Sequence, residues 1–188
     1  MDKVDTEVVM TGHLPLLDRI KDRELAKKVA DIWYETWQES KWKDIGDACY
    51  KPDYPGKTLV GHTNAVAQSS LAMAEIRQEI FNESVDYDLL IAGALLHDIS
   101  KVLEFEPTDG KPIATKKRKL FQHGFIGAHK ALNKGLSDEL VHIIIVHTNK
   151  SRLIPKSPEA LIIYCIDIAD ADLHKLKRGD PLIISDWK

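Results

Sequence analysis

Adjacent His97 and Asp98 lie in the apolar run LLIAGALLHDISK. An imidazole and a carboxylate side by side in a buried helix cost free energy unless something occupies them. A divalent cation is a suitable occupant, because it takes deprotonated nitrogen and oxygen donors held rigidly. Further donors follow at long intervals, with His62 upstream and His123, His147 and Asp167 downstream. The order H…HD…H…H…D runs through successive segments that read as helices. Neither Cys49 nor Cys165 lies in a ligand motif, so no thiolate joins the set. Nitrogen and oxygen donors of this kind suit Mn²⁺, Fe²⁺, Co²⁺ or Ni²⁺, with Mg²⁺ and Zn²⁺ less natural. Two such cations a few ångströms apart would lower the pKa of a shared water and neutralise charge developing on a phosphoryl group.

The elements that must position these donors can be read from apolar spacing and end signals. Residues 1–13 show no clear period and read as a loose tail. From Leu14 to Trp42, Leu17, Ile20, Leu25, Val29, Ile32, Trp33 and Trp37 recur at helical steps, predicting one amphipathic helix or a pair. The Gly-, Pro- and Asp-rich stretch Asp44 to Gly56 reads as a loop. A long helix is predicted from Thr58 to Phe81, with Val66, Ser69, Met73, Ile76 and Ile80 as its inward stripe and His62 one turn before Val66. The almost wholly apolar segment from Asp88 to Val102 predicts the central helix, on which His97 and Asp98 stand about 100° apart.

Residues 104–119 contain Pro107, Asp109-Gly110 and Pro112, which predict a hairpin-like excursion. His123 is expected to open a helix through Leu132 that Gly135 terminates. Ser137 caps a helix over 138–148, and Ser157-Pro158-Glu159 starts another. On this last helix Ala160, Ile163, Tyr164, Asp167 and Ala171 share a stripe, so Asp167 faces inward. Asp170, one turn later on nearly the same face, is the alternative last ligand or a group orienting one. The donors are thus expected from five helices of an all-α bundle.

At 188 residues the chain fits one domain: 1–56 a helical extension and loop, 57–175 the metal-binding core, and 176–188 a tail. A net charge of −3 argues against broad nucleic-acid binding, although Lys116-Lys117-Arg118-Lys119 is a local basic run. No segment is long and apolar enough for a membrane span, and the N-terminus lacks a signal-peptide layout. Two cysteines are too few for a disulfide framework, so a cytoplasmic protein with reduced thiols is expected. His13, His129, His142 and His174 match no motif and read as surface or packing residues. The clustered Trp33, Trp37 and Trp42 read as packing residues rather than a base-stacking platform.

The donor order resembles the HD superfamily of metal-dependent phosphohydrolases. The flanking words carry the resemblance over about residues 50–175: YPGKTLVGHTNAV, LLHDISKVLEFEPTDGK, KLFQHGFIGAHKAL and PKSPEALIIYCIDIADADL. In wording they are most similar to the HD domain of 3′–5′ exoribonucleases, and no nucleic-acid-binding domain is expected before it here. The resemblance implies an all-helical fold and a first metal held by His62, His97, Asp98 and Asp167. It also implies a second metal at His123 and His147, with Asp98 bridging. Lys101, one turn beyond the doublet, would set an ammonium against a substrate phosphate, and the plainer alternative is a solvent-exposed lysine near a helix end.

The function so implied is hydrolysis of a phosphate ester of a nucleotide or similar small phosphorylated substrate, with Asp98 and Lys101 as its catalytic residues. An RNA end is the less favoured substrate, and homo-oligomers are compatible with the sequence. Two alternatives share the donors: a di-iron oxygenase, as some HD-fold proteins are, and a non-catalytic regulatory module with an enclosed structural metal.

Overall fold

The computed structural model describes residues 4–186, which form the expected all-α bundle. Its helices are α1 (Thr6–Thr11), α2 (Arg23–Gln38), α3 (Leu59–Phe81), α4 (Tyr87–Leu96), α5 (Lys101–Glu104), α6 (Lys116–Leu120), α7 (Phe125–Asn133), α8 (Asp138–Val146) and α9 (Pro158–Arg178). Local chemistry starts most of them. Asp5, Asp22, Thr58, Asp86, Thr115, Ser137 and Ser157 each accept a backbone N–H from the first turn that follows. Each cap satisfies donors that a helix start leaves without a partner.

Helix α4 is the centre of the molecule. It is buried all round from Leu90 to Leu96 and packs against α2, α3, α8 and α9. Gly93 permits the closest approach: a Cβ there would stand 2.9 Å from Ile143 Cδ1 and 3.2 Å from Ile163 Cδ1. The apolar core runs continuously from Met10 to Ile163, so the N-terminal helices share it with the donor-bearing ones.

Several expectations are corrected. The N-terminal segment is not a loose tail where it is described, because α1 is capped by Asp5 and buries Met10; positions 1–3 lie outside the described residues, as do the last two of the expected C-terminal tail. Of the two readings of segment 14–42, the pair holds, as a 3₁₀ turn, Pro15–Arg19, followed by α2. The inward stripe of α3 was placed wrongly beyond Val66. Met73, Ile76 and Ile80 are 42%, 50% and 65% exposed, while Thr63, Ala67, Ser70 and Ala74 are buried. Both faces fit a helical period, and the smaller side chains win the interior because α4 and α9 pack tightly there.

The central helix does not continue unbroken to Val102. Between α4 and α5 the chain tightens, with Ile99 N bonded to Leu96 O and Lys101 N to Asp98 O. These i→i+3 bonds put His97 and Asp98 on a 3₁₀-like turn, a common local geometry at functional sites. The hairpin is present but short: β1 (Phe105–Glu106) pairs antiparallel with β2 (Ile113–Ala114), and the excursion ends in α6, which carries the basic run. Among the described residues no helix is long and apolar enough to cross a membrane.

Candidate metal centre

The donors stand mostly at helix ends rather than within five helices. His62 lies in the first turn of α3, His97 ends α4 and Asp98 follows it. His123 precedes α7, which begins two residues later than expected, and His147 ends α8. Asp167 lies in the middle of α9. Gly124 makes the approach of His123 feasible. Its φ is +88°, and a Cβ there would sit 2.8 Å from Ile144 O. The chain beside His123 therefore passes directly over the end of α8.

All six side chains converge in two groups, His62–His97–Asp98–Asp167 and Asp98–His123–His147. Asp98 divides its carboxylate between them. Its Oδ2 lies 3.1 Å from His62 Nε2 and 3.5 Å from His97 Nε2. Its Oδ1 lies 3.0 Å from His123 Nε2 and 3.5 Å from His147 Nε2. Asp167 Oδ1 is 3.1 Å from His62 Nε2.

The far side of each ring fixes which nitrogen is free. His97 Nδ1 lies 2.6 Å from Ala94 O, and His147 Nδ1 2.7 Å from Ile144 O. His62 Nδ1 lies 2.6 Å from Asp170 Oδ2, and His123 Nδ1 2.9 Å from Glu104 Oε1. All four partners are acceptors, so each Nδ1 carries a proton and each neutral ring turns its Nε2 lone pair inward. Those lone pairs nearly collide, with the His62 and His97 Nε2 atoms 3.2 Å apart and those of His123 and His147 likewise 3.2 Å apart. Buried Asp98 Oδ1 and Asp167 Oδ1 have no hydrogen-bond partner.

With the rings neutral, lone pairs facing lone pairs and orphaned carboxylate oxygens are repulsive in a dry interior, and positive charge placed between them, a proton or a metal ion, relieves both. The spacing also fits. Adjacent donors at about 2.1 Å from an ion are about 3.0 Å apart in octahedral and about 3.4 Å in tetrahedral geometry. The donor set therefore suits divalent metal, the ligand class bound by HD domains.

The electrostatics agree. Burial pushes the Asp98 carboxyl up, but Lys101 and the histidines around it outweigh that and hold it well below the usual carboxylate range. Burial lowers His62, yet hydrogen bonds with Asp167, Asp170 and Asp98 raise it to about 9. With no cation counted, the surrounding carboxylates demand a proton on this ring, and a metal ion answers the same demand for positive charge.

Asp170 is not in either group. It stands behind His62, accepting from its Nδ1 and from Lys57 Nζ, and Asp167 takes the inward place. Asp170→Ala is expected to weaken metal binding at the first group 10- to 100-fold, with turnover largely restored at saturating metal; metal-competition titration checks this.

The sequence reading missed Glu104, which holds His123 and pairs with Arg118 at 3.2 Å. Its only signal was spacing, two helical turns beyond the doublet on the face of Lys101. It also missed Tyr50, which is buried in the loop before α3 with its ring 4.2 Å from that of His62. Nothing in the sequence marks a loop tyrosine for that place. Lys101 is 7% exposed, so the solvated alternative is overturned. Its ammonium contacts Asp98 Oδ2 and lies 3.8 Å over the Tyr50 ring. His129 is exposed and stacks on Phe125, His13 meets Trp37 edge-on, His142 accepts from Lys156 N, and His174 packs on Tyr54. None of the four joins the donors.

A cavity of about 320 Å³ opens beside the groups, bordered by Tyr50, Lys101, His123 and Asp167. A larger one, about 650 Å³, lies between the 47–58 loop and the hairpin and contains none of the six donors.

The comparisons with known proteins point the same way. The HD domain family model matches residues 59–172, more than half of the chain. The dihydroneopterin 2′,3′-cyclic phosphate phosphodiesterase of Methanocaldococcus jannaschii is 27% identical over 177 residues, covering 88% of this chain and 70% of that protein. The 3′-5′ exoribonuclease YhaM of Geobacillus sp. (strain WCH70) is 32% identical over 147 residues, covering 68% of this chain and 44% of the exoribonuclease. No solved structure matches the chain. By its donor order, its helical frame and the extent of the family match, this chain belongs to the HD-domain family of metal-dependent phosphohydrolases.

Proposed function

We propose that this protein hydrolyses a phosphate ester of a nucleotide or a similarly small phosphorylated substrate, using two divalent cations. The observation that carries the reading is the convergence of four Nε2 lone pairs and two carboxylates beside an open cavity that Lys101 borders. An enclosed structural metal would need no such opening. When bound, the cations supply Lewis acidity toward phosphoryl oxygens and toward water. His62, His97, Asp98 and Asp167 would hold one, and Asp98, His123 and His147 the other. The absence of thiolate favours Mn²⁺, Fe²⁺, Co²⁺ or Ni²⁺.

The chain's own groups do the rest. Asp98 fixes the separation of the two groups by giving one oxygen to each. Lys101, steered by Asp98 Oδ2 and the Tyr50 face, presents N–H donors to a phosphoryl oxygen. Asp170 and Glu104 keep the His62 and His123 rings oriented. The cationic cavity favours a phosphorylated substrate over the uncharged ones that an oxygenase could take. Its modest volume favours a compact molecule over a polymer. Residues 1–188 act in this reading as one HD-type unit, since the N-terminal helices share the donor helices' core. The two relatives, a cyclic phosphate phosphodiesterase and an exoribonuclease, both by name cleave phosphate esters.

The test is metal removal and return. Protein stripped by chelator is expected to be inactive on p-nitrophenyl phosphate, bis-p-nitrophenyl phosphate and nucleotides. Activity should return with Mn²⁺, Fe²⁺, Co²⁺ or Ni²⁺. Silence across a broad panel of mono- and diesters with every metal would overturn the reading.

A further inference from the structure

The cavity beside the donor groups carries more positive charge than one phosphate can use. Lys51, Lys101, Arg118, Lys150 and Lys175 all line it. Lys101 is paired with Asp98, and Arg118 with Glu104. Among the described residues no carboxylate lies within ion-pair distance of Lys51, Lys150 or Lys175. Lys51 lies over the Tyr50 and Tyr54 rings at 5.8 and 5.5 Å, and Lys175 donates to Pro181 O at 2.6 Å.

The three lysines come from separate parts of the chain: the loop before α3, the segment after α8, and α9. No single helix period places them together. Their charges act on one another. Lys51 is pushed down to about 8, first by burial and then by Lys101, Lys150 and Lys175. Lys150 is lowered by burial and by Arg118 and Lys101. Like charges gathered round a solvent-filled space raise the free energy of the empty protein and lower that of a complex with an anion. The first phosphate would lie at the donor groups with Lys101, leaving the three lysines beyond it. Ile168, Ala171 and Leu182 line the same cavity and offer apolar surface to a sugar or ring between the two ends.

We propose that the molecule bound here carries a second phosphate group, held by Lys51, Lys150 and Lys175 while the first meets the donor groups. The inference rests on the phosphohydrolase reading only for the position of the first phosphate. Two phosphates could belong to a compact bisphosphate or to an oligonucleotide end. A cavity of about 320 Å³ is at the small end of ligand sites and selects the compact form.

Calorimetric titration of the metal-loaded full chain tests this with adenosine 3′,5′-bisphosphate, 5′-AMP, 3′-AMP and a 5′-phosphorylated dinucleotide. The bisphosphate is expected to bind about 10-fold more tightly than either monophosphate, from several partly exposed charge contacts together. Lys51→Gln, Lys150→Gln and Lys175→Gln combined should erase that preference, and the three Arg replacements should keep it. Circular dichroism and metal content report whether the combined variant is folded; if it is not, each single Gln replacement should reduce the preference about two-fold. Equal affinities in the wild type, or a preference that survives the Gln replacements in folded protein, would overturn the proposal. A dinucleotide bound more tightly than the bisphosphate would overturn the compact form. Preference without hydrolysis would defeat the phosphohydrolase reading alone, because binding is the quantity measured.

Discussion

On the two-cation reading, Asp98→Ala is expected to lower turnover on the order of 10³-fold or more and to abolish metal binding at both donor groups together. The reasoning begins with the carboxylate's two oxygens. Oδ2 faces His62 and His97, and Oδ1 faces His123 and His147, so one substitution removes a donor from each group. The effect must exceed the 10- to 100-fold that follows loss of an outer partner such as Asp170. Truncation also strips Lys101 of its carboxylate partner, leaving an ammonium buried against Tyr50. His147→Ala gives the contrasting result, since His147 belongs to the second group only. That protein should keep about one metal per chain, where Asp98→Ala keeps almost none. Elemental analysis of chelator-free protein, paired with ester hydrolysis, reads both outcomes. An Asp98→Ala protein that retained two metals and activity within 10-fold of wild type would show that Asp98 does not serve both donor groups.

The contrast between Asp167 and Asp170 marks how far residue order can be read as geometry. Three positions apart on α9, the two carboxylates approach the same imidazole from opposite sides, Asp167 at Nε2 and Asp170 at Nδ1. Helical phase puts both on the inward face and does not say which side of His62 either reaches. Only the packing of α3 against α9 decides. End signals were legible for the opposite reason, because a cap acts on its own next turn. Ser137 and Ser157-Pro158 start α8 and α9 as their types require.

The stripe of α3 failed because two faces of one helix were both apolar enough to qualify. Large Met73, Ile76 and Ile80 lost the interior to small Ala67, Ser70 and Ala74. The turn at 97–100 was invisible as well, since nothing in an apolar run signals a change from i→i+4 to i→i+3 bonding. The six side chains that the fold brings together were therefore legible from their order, while the outer partners Glu104 and Tyr50, which depend on tertiary contacts, were not.

That turn explains why the fold is expected to be most sensitive at Trp33, well outside the donor groups. In a continuous α-helix Ile99 N would bond to Leu95 O, but here it bonds to Leu96 O. Leu95 O instead accepts from Trp33 Nε1 at 2.8 Å. The indole thus completes the backbone two residues before His97. Trp42 Nε1 does the same service beyond the doublet, donating to Phe105 O at 3.2 Å. Trp33 is fully buried, so Trp33→Ala is expected to cost about 3–5 kcal/mol. Against a typical total of about 5–15 kcal/mol, that is a large fraction of the stability. Trp33→Phe separates the two contributions: it keeps most of the apolar contact but leaves Leu95 O without its donor, at about 1–3 kcal/mol. Chemical denaturation of metal-free protein measures both. If α2 and the donor helices form one cooperative unit, both variants unfold in a single transition and Trp33→Phe also binds metal more weakly. A Trp33→Ala protein that melted the N-terminal helices separately, with metal binding intact, would show that α2 only covers the site and does not hold its turn in shape.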